Sequence, residues 1–360
     1  MAPFIERVVP DEAEFTTLCR IVDEVSAAYP CGRAHEAIAL AEQRGKTAVT
    51  TFCRLSDKVR DLIAHRGAVG VIEIDLRKAL DRYAPIPPTP ADLDSPAQHR
   101  LFPLDLMRCA IIGAAGGYTY GYTGQGNANL CDDLMPIRKN HRQPGSNPGY
   151  AVNWHTEDAP YNRGPENRLH PTCDVISFVY LRNLTGHSTR VNMPNLSLLR
   201  PATLKALRTY QFRLLTSYYQ KAAKSHVETS TSFVYGADNW IRFTFARLAE
   251  QMDEYRNNGN LLAAIDELIE SLEHHPGETS SAPGDIAFVD NMRVAHARAP
   301  LETPPKFDGS DRWLRRLGVV EAPRRAFLEQ FMDDPARRLV NNELLLPYLQ
   351  SLPVPSQTCG

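Results

Sequence analysis

The residues of this sequence best placed to do chemistry are His155 and Glu157, in the run Trp154-His155-Thr156-Glu157-Asp158. On a β-strand, residues i and i+2 point to one face. Imidazole and carboxylate would then project together and take neighbouring positions on one divalent metal. A third ligand from elsewhere leaves half of an octahedral shell open to reactants, a facial arrangement suited to iron(II) and to dioxygen chemistry. The pattern alone is weak, because 42 acidic residues and 11 histidines in 360 positions produce His-x-acid about once by chance. It occurs twice. The second copy, His226-Val227-Glu228, follows Lys221 and Lys224 in a polar run and reads as surface.

His155 has better company downstream. Phe288-Val289-Asp290-Asn291 leads to Val294-Ala295-His296-Ala297-Arg298, which offers His296 as a third ligand. The run from Asp311 to Val320 then places Arg312, Leu314 and Arg316 on one strand face and Arg315 on the other. Two guanidinium groups aimed inward past a leucine are costly unless they meet anions.

Four blocks in this order, Trp154 to Ala159, Leu181-Arg182-Asn183, Gly284 to Asn291 and Asp308 to Leu314, resemble the iron- and 2-oxoglutarate-dependent dioxygenases of the taurine dioxygenase and clavaminate synthase-like group. Within it the nearest likeness is to bacterial hydroxylases of free amino acids of the arginine type. The resemblance covers roughly Gly117 to Val320. It implies that His155, Glu157 and His296 hold Fe(II), that Arg312 forks onto the far carboxylate of 2-oxoglutarate with a hydroxyl from Thr189, and that O2 takes the last position. It further implies a Gln near position 125 against the substrate's amino group, hence Gln125. The activity implied is hydroxylation of an unactivated C–H bond of a free L-amino acid or close derivative in natural product biosynthesis, with release of succinate and CO2. A same-fold oxygenase acting on a carrier-bound or non-amino-acid substrate, by hydroxylation, desaturation or cyclisation, stays open. So does a non-catalytic small-acid-binding barrel. A zinc hydrolase is disfavoured, since Arg312 would have no anionic cosubstrate to meet.

The spacing of the arginines orients the substrate. Arg316 lies four residues beyond Arg312, roughly 13 Å along a strand, too far for both to hold one 2-oxoglutarate. Arg316 therefore suits the α-carboxylate of the amino acid, and the second oxygen of Glu157 suits its ammonium. Arginine hydroxylases resemble this chain at Ile241-Arg242 but continue with an acidic pair where this chain has Phe243-Thr244-Phe245-Ala246. A buried cationic side chain left unpaired costs several kcal/mol. The expected substrate carries a neutral side chain, or a cation held instead by Asp132, Asp133 or Asp238.

The composition sets outer limits. A hydrophobic fraction of 43% is ordinary for a folded domain, and a net charge of −2 with a pI near 6.6 gives no general attraction to nucleic acid or acidic membranes. The expected partner is a small molecule, with no nucleic acid and no membrane. Seven cysteines, an odd number with no Cys-x-x-Cys pair, read as thiols in a reducing compartment. The N-terminal residues lack a basic and then apolar run, so the expected location is cytoplasmic.

The elements that must position these residues read as mainly β with flanking helices, a double-stranded β-helix (jelly roll, cupin-like) core in a single catalytic domain over 1–360. Its parts are a mostly helical 1–115 packed on the sheet, a jelly-roll core over 116–322 with helical insertions, and C-terminal helices and tail over 323–360. Apolar periodicity predicts a helix opened by Asp11 or Glu12 and ended by Pro30, a second from about His35 stopping at Gly45, and a third closing at Gly67. His35 and His65 read as capping or surface residues. A strand over Val69 to Leu76, a proline-rich loop over Ala84 to Pro96 and a buried helix over Leu101 to Ala115 follow. The Gly- and Tyr-rich run after it reads as strand and turn, lacking the context of a phosphate cradle. Strands are expected at Asp174 to Leu181, Ser232 to Phe245, Asp285 to Asp290 and Arg312 to Val320, a spacing that fits a jelly roll. Helices are expected at Pro201 to Gln211, Leu261 to His274 and through Arg324 to Gln350.

Overall fold

The structure, a computed structural model, describes residues 4–30, 34–92, 100–124, 128–138, 152–161, 170–184, 186–215, 228–236, 238–245, 255–256, 258–299 and 304–351. The larger sheet holds β1 (Ile5–Val8), β2 (Val71–Asp75), β3 (Gly117–Tyr122), β4 (Asp132–Leu134), β6 (Val175–Arg182), β13 (Asp285–Asp290), β15 (Trp313–Glu321) and β16 (Leu339–Val340). Their order is β1-β2-β13-β6-β15-β3-β16, with β4 also on β15. A smaller sheet in the order β12-β7-β14-β5 is made of β5 (Val152–His155), β7 (Arg190–Asn192), β12 (Gly277–Glu278) and β14 (Ala295–Arg298). Two hairpins complete the strands, β8 (Phe212–Leu215) with β9 (Glu228–Thr231) and β10 (Val234–Tyr235) with β11 (Trp240–Ile241).

Both faces of the larger sheet are covered, which is why β6 reads Val-Ile-Ser-Phe-Val-Tyr-Leu with all seven residues buried rather than alternating with polar ones. Its outer face packs on α1 (Glu12–Ala28), α2 (Ala34–Thr47), α3 (Cys53–Ile63), α4 (Lys78–Arg82) and α5 (Pro103–Ala114) through one core that includes Leu18, Ile38, Ile111, Val179 and Trp313. The inner face carries Tyr120, Ile176, Phe178, Tyr180 and Leu314, which share a second core with Val191 of the smaller sheet. A third core lies beyond the smaller sheet, where Trp154 and Ala295 meet α6 (Pro201–Thr209) and the helix Gly259–Glu273. The result is a sheet-rich, mixed architecture with helices on both outer sides.

Several expected boundaries shift for identifiable reasons. Asp11 does cap α1, in a box where Asp11 and Glu14 each accept the other's backbone N–H. Gly45, however, does not end α2. A Cβ there would stand 1.9 Å from the Ala110 carbonyl oxygen, and one at Gly113 would stand 2.1 Å from that of Glu42. These glycines let α2 and α5 touch backbone to backbone. The stretch expected as one strand over 232–245 is instead a hairpin whose turn includes Gly236 and Asn239, both at positive φ. β1 and β16 went unread because strands of four and two residues are too short to show a period. Each pairs parallel to its neighbour, β1 to β2 and β16 to β3. Among the described residues no helix is long and apolar enough to cross a membrane.

Two buried charge networks fix the layers. On β15, alternation sends Arg315 to the helical side, where its Nε donates to Asp133 at 2.7 Å and its Nη1 to Asp105 at 2.7 Å. Asp133 also accepts from Trp313 Nε1 at 2.6 Å, and Asp105 pairs with Arg108 at 2.9 Å. The second network corrects the expectation for His65. Its ring is 9% exposed and bridges Asp290, at 2.9 Å from Nδ1, and Asp174, at 3.4 Å from Nε2. Burial works against its charge, but the two carboxylates prevail and push its pKa up to about 9.

Both networks predict stability effects. A histidine raised from 6.5 to about 9 stabilises fully below its unfolded pKa and loses that contribution as pH rises through the folded value, on the order of 3 kcal/mol at roughly 1.36 kcal/mol per unit. Urea unfolding between pH 6 and 9.5 should show wild type losing stability across this window and His65→Gln staying flat; a variant as pH-dependent as wild type would assign the loss to another group. Asp133→Ala leaves a buried arginine short of an anion and should cost about 3–5 kcal/mol in the same assay.

Candidate active site

β14 lies between β7 and β5, and antiparallel pairing sets His296 directly opposite His155. The ring centroids are 4.1 Å apart. Glu157 reaches the pair by a different route from the one expected. β5 ends at His155, so strand alternation does not carry Glu157, which sits in the turn that follows. Thr156 N donates to the Phe243 carbonyl at 2.9 Å. Glu157 N donates to Asn291 Oδ1 at 2.6 Å. The carboxylate then lies 3.6 Å from His296 Nε2. One nitrogen from each histidine and one Glu157 oxygen all fall within 4.8 Å of one another, the single such cluster among the described residues.

The protonation states suit metal ligation. His155 Nδ1 lies 2.8 Å from the Asn153 carbonyl, a bond that needs the proton on Nδ1 and leaves the Nε2 lone pair free. Burial, with the neighbouring His296, pushes the His155 pKa down to about 4. Burial acts to raise Glu157, yet the Arg316 guanidinium and the two histidines hold its carboxyl well below the usual range. Neutral nitrogen and anionic oxygen donors are what a divalent metal requires.

The two arginines expected to meet anions part company. Arg312 is 7% exposed, pairs with no carboxylate among the described residues, and has an Nε without a hydrogen-bond partner. Its guanidinium stands 5.4 Å from the centroid of the Tyr180 ring. The Tyr180 hydroxyl bonds Thr189 Oγ1 at 2.8 Å and Thr279 Oγ1 at 3.1 Å. Arg298 adds to the positive character here; burial and the Arg312 charge push its pKa down to about 10. Arg316, by contrast, has protein anions, Glu157 at Nη1 and Asp132 at Nη2. The expectation that Arg316 lacks an anion without substrate is thus corrected, because β4 pairs Asp132 directly with it in the sheet.

A cavity on the Arg316 side of Glu157 is lined by Tyr120, Tyr122, Leu130, Asp132, Glu157 and Arg316 among others. Phe178 touches His296 with ring centroids 5.7 Å apart, and Tyr180 follows two residues along β6. The His-Glu-His cluster therefore stands between the Arg312–Tyr180–Thr189 group on one side and the Arg316 cavity on the other. Asp238, expected as a possible holder of a substrate cation, is exposed in the β10–β11 turn and is not among the residues that line the cavity. Asp133 is consumed by Arg315 and Trp313. Gln125 and His226 lie outside the described residues. The sequence reading missed Asn291 as a partner of Glu157 and missed Tyr180 and Thr279; the block containing Asn291 was visible, but no local pattern says where an asparagine points.

Comparison with known proteins gives no matching family model. An L-ornithine/L-arginine 3-hydroxylase of Catenulispora acidiphila is 27% identical over 242 residues, 58% of this chain and 65% of that one, so the matched span falls just short of two thirds of the relative's length. An enduracididine beta-hydroxylase of Streptomyces hygroscopicus is 26% identical over 66% of this chain and 73% of that one. In fold, the chain is similar to the non-heme iron oxygenase OrfP, solved with iron and alpha-ketoglutaric acid, with a TM-score of 0.70 and 22% identity over 93% of this chain and 99% of that one. By sequence the chain is thus similar to bacterial amino acid hydroxylases and, over a short stretch of 56 residues at 39% identity, to a clavaminate synthase of Streptomyces clavuligerus, and by fold to a non-heme iron oxygenase.

Proposed function

We propose that the chain is an Fe(II)- and 2-oxoglutarate-dependent oxygenase that hydroxylates an unactivated C–H bond of a free L-amino acid or close derivative. The observation that carries this reading is the pairing of a half-buried His155-Glu157-His296 cluster with Arg312, a buried cation that meets no carboxylate among the described residues. His155, Glu157 and His296 would hold the iron, and Arg312 with Thr189 would hold the far carboxylate of 2-oxoglutarate. Iron with this cosubstrate and O2 supplies the oxidation of the C–H bond, with release of succinate and CO2. The protein's share is to bind, orient and exclude water. The two facing sheets are read as the walls of a double-stranded β-helix, in one domain with its helical covering. The free thiols at Cys19, Cys53, Cys109, Cys131 and Cys173 suit the reducing cytoplasm that an iron(II) enzyme needs.

The charges around the cavity favour a zwitterion. Arg316 offers donors to an α-carboxylate, while Glu157 and Asp132 offer anions to an ammonium. The side chain is read as neutral, since Asp133 is tied to Arg315 and Asp238 faces solvent, which leaves Asp132 and Glu157 to the ammonium. The direct test is succinate release against a panel of neutral and cationic free amino acids with Fe(II), 2-oxoglutarate and O2. Turnover with no free amino acid would move the reading to a carrier-bound substrate.

His155→Ala and Glu157→Ala should abolish Fe(II) binding and turnover while leaving the fold intact, since the cores belong to other residues. Full turnover in both would refute the metal assignment. Arg312→Lys should weaken 2-oxoglutarate by about ten- to a hundredfold, the loss of a bidentate charge-assisted contact worth roughly 1.5–3 kcal/mol. Unchanged cosubstrate affinity would place the anion elsewhere. Arg316→Ala should raise the amino acid KM by about tenfold or more and leave 2-oxoglutarate affinity nearly unchanged. Amidating the substrate's carboxylate should hurt wild type and barely affect that variant; equal harm to both would sink the assignment.

A further inference from the structure

Glu157 poses a mechanical problem. It lies two residues beyond His155, the end of β5, and precedes Asp158, whose φ of 53° lies in the left-handed region. No ladder fixes it, yet its carboxylate must stand within reach of two histidines. Ordering one such residue costs about 1–2 kcal/mol in backbone entropy, so something must hold it.

Asn291 does so at both ends of the residue. Its Oδ1 accepts from Glu157 N at 2.6 Å, and its Nδ2 donates to the Glu157 carbonyl at 3.1 Å and to the Cys173 carbonyl at 3.0 Å. The side chain is 1% exposed, so water does not compete. Only a primary amide presents an acceptor and donors from one rigid plane; a carboxylate of the same shape would face two carbonyls with no proton to give. The clamp is itself anchored. Asn291 N donates to the Asp174 carbonyl at 2.9 Å, and Asp290 organises the turn by accepting from Met292 N at 2.9 Å and Arg293 N at 3.2 Å. That turn runs directly into β14, which carries His296.

We propose that Asn291 is the positioning residue of the metal centre, setting the Glu157 carboxylate against His296 by clamping its backbone to the turn that begins β14. His155 is referenced to the same strand by the ladder. Both arms of the His-x-Glu pair are then registered on β14, one by sheet pairing and the other by a side-chain amide. The inference rests on the reading of Glu157 as a ligand.

The test is anaerobic titration of the whole protein with Co(II), following the metal's visible absorption, beside a thermal unfolding curve for each variant. Asn291→Asp and Asn291→Ser should weaken Co(II) about tenfold or more, the usual loss for a group supporting a ligand, and should alter the absorption envelope. Arg293→Ala loosens the same turn by removing its contact with Asp290 without touching Glu157, and should bind Co(II) within about twofold of wild type. Wild-type affinity in both Asn291 variants overturns the proposal, as does an equal loss in Arg293→Ala at a matched fall in unfolding temperature. If the Asn291 variants do not fold, hydrogen exchange at the Glu157 amide of wild type decides: strong protection supports the clamp and rapid exchange overturns it. Glu157→Ala separates the two levels, since wild-type Co(II) binding there refutes the ligand reading itself, whereas its loss with intact Asn291 variants refutes only the clamp.

Discussion

Antiparallel pairing of β14 with β5 is the constraint on which the site depends. It sets His296 against His155 by backbone hydrogen bonds, so the two imidazoles share a face without any side-chain contact having to hold them. The Nδ1 contact of His155 with Asn153 then fixes that ring's proton. Everything else at the site is located relative to this pair: Glu157 through the turn after β5, Phe178 and Tyr180 through the facing sheet. A slip of β5 by one residue in this register would turn the His155 ring to the face opposite His296.

The second determinant is the alternation of β15. A segment with arginine at 312, just before β15, and at 315 and 316 within it is expensive to bury, and the fold resolves each charge differently. Arg315 goes to the helical side, into a lattice of Asp105, Arg108 and Asp133 whose removal piecemeal would be far more costly than its net worth. That lattice pins β4 and β15 in register, and the next residue pair on the other face, Asp132 with Arg316, is delivered to the cavity by the same register. The structural network and the candidate site are two faces of one ladder.

How much of this was legible follows from what each feature depends on. His155, Glu157, His296 and Arg312 were readable because their types and order are chemically unusual together, and β6, β13, β15 and α1 because long apolar runs and a capping box are local signals. The path of Glu157 was misread because strand alternation was extended past the end of β5. Gly45 was misread as a helix stop because its reason is α5, more than sixty residues away. His65 was taken for a capping or surface residue because its partners, Asp174 just before β6 and Asp290 at the end of β13, are distant in sequence. The pairing of Arg316 with Asp132 likewise exists only once β4 joins β15. Local chemistry shows in sequence; contacts made by tertiary pairing do not.

The two sides of the His-Glu-His cluster differ in charge, and that difference underlies the proposed placement of the ligands. On the Tyr180 side, Arg312 is joined by Arg298, close enough to depress its pKa, and the neutral hydroxyls of Thr189 and Thr279 add donors. On the cavity side, Arg316 is accompanied by Glu157 and Asp132. A dianion in the cavity would face two carboxylates for one guanidinium, whereas beside Arg312 the described groups Arg298, Tyr180, Thr189 and Thr279 are positive or neutral. An amino acid zwitterion beside Arg312 would press its ammonium against the Arg312 and Arg298 cations, whereas in the cavity each of its ends has an opposite charge. Coulomb terms in a partly desolvated site are large enough that this mismatch outweighs ordinary hydrogen-bond preferences. The proposed placement of the dicarboxylate beside Arg312 and of the amino acid in the cavity rests on this electrostatic asymmetry, independent of shape.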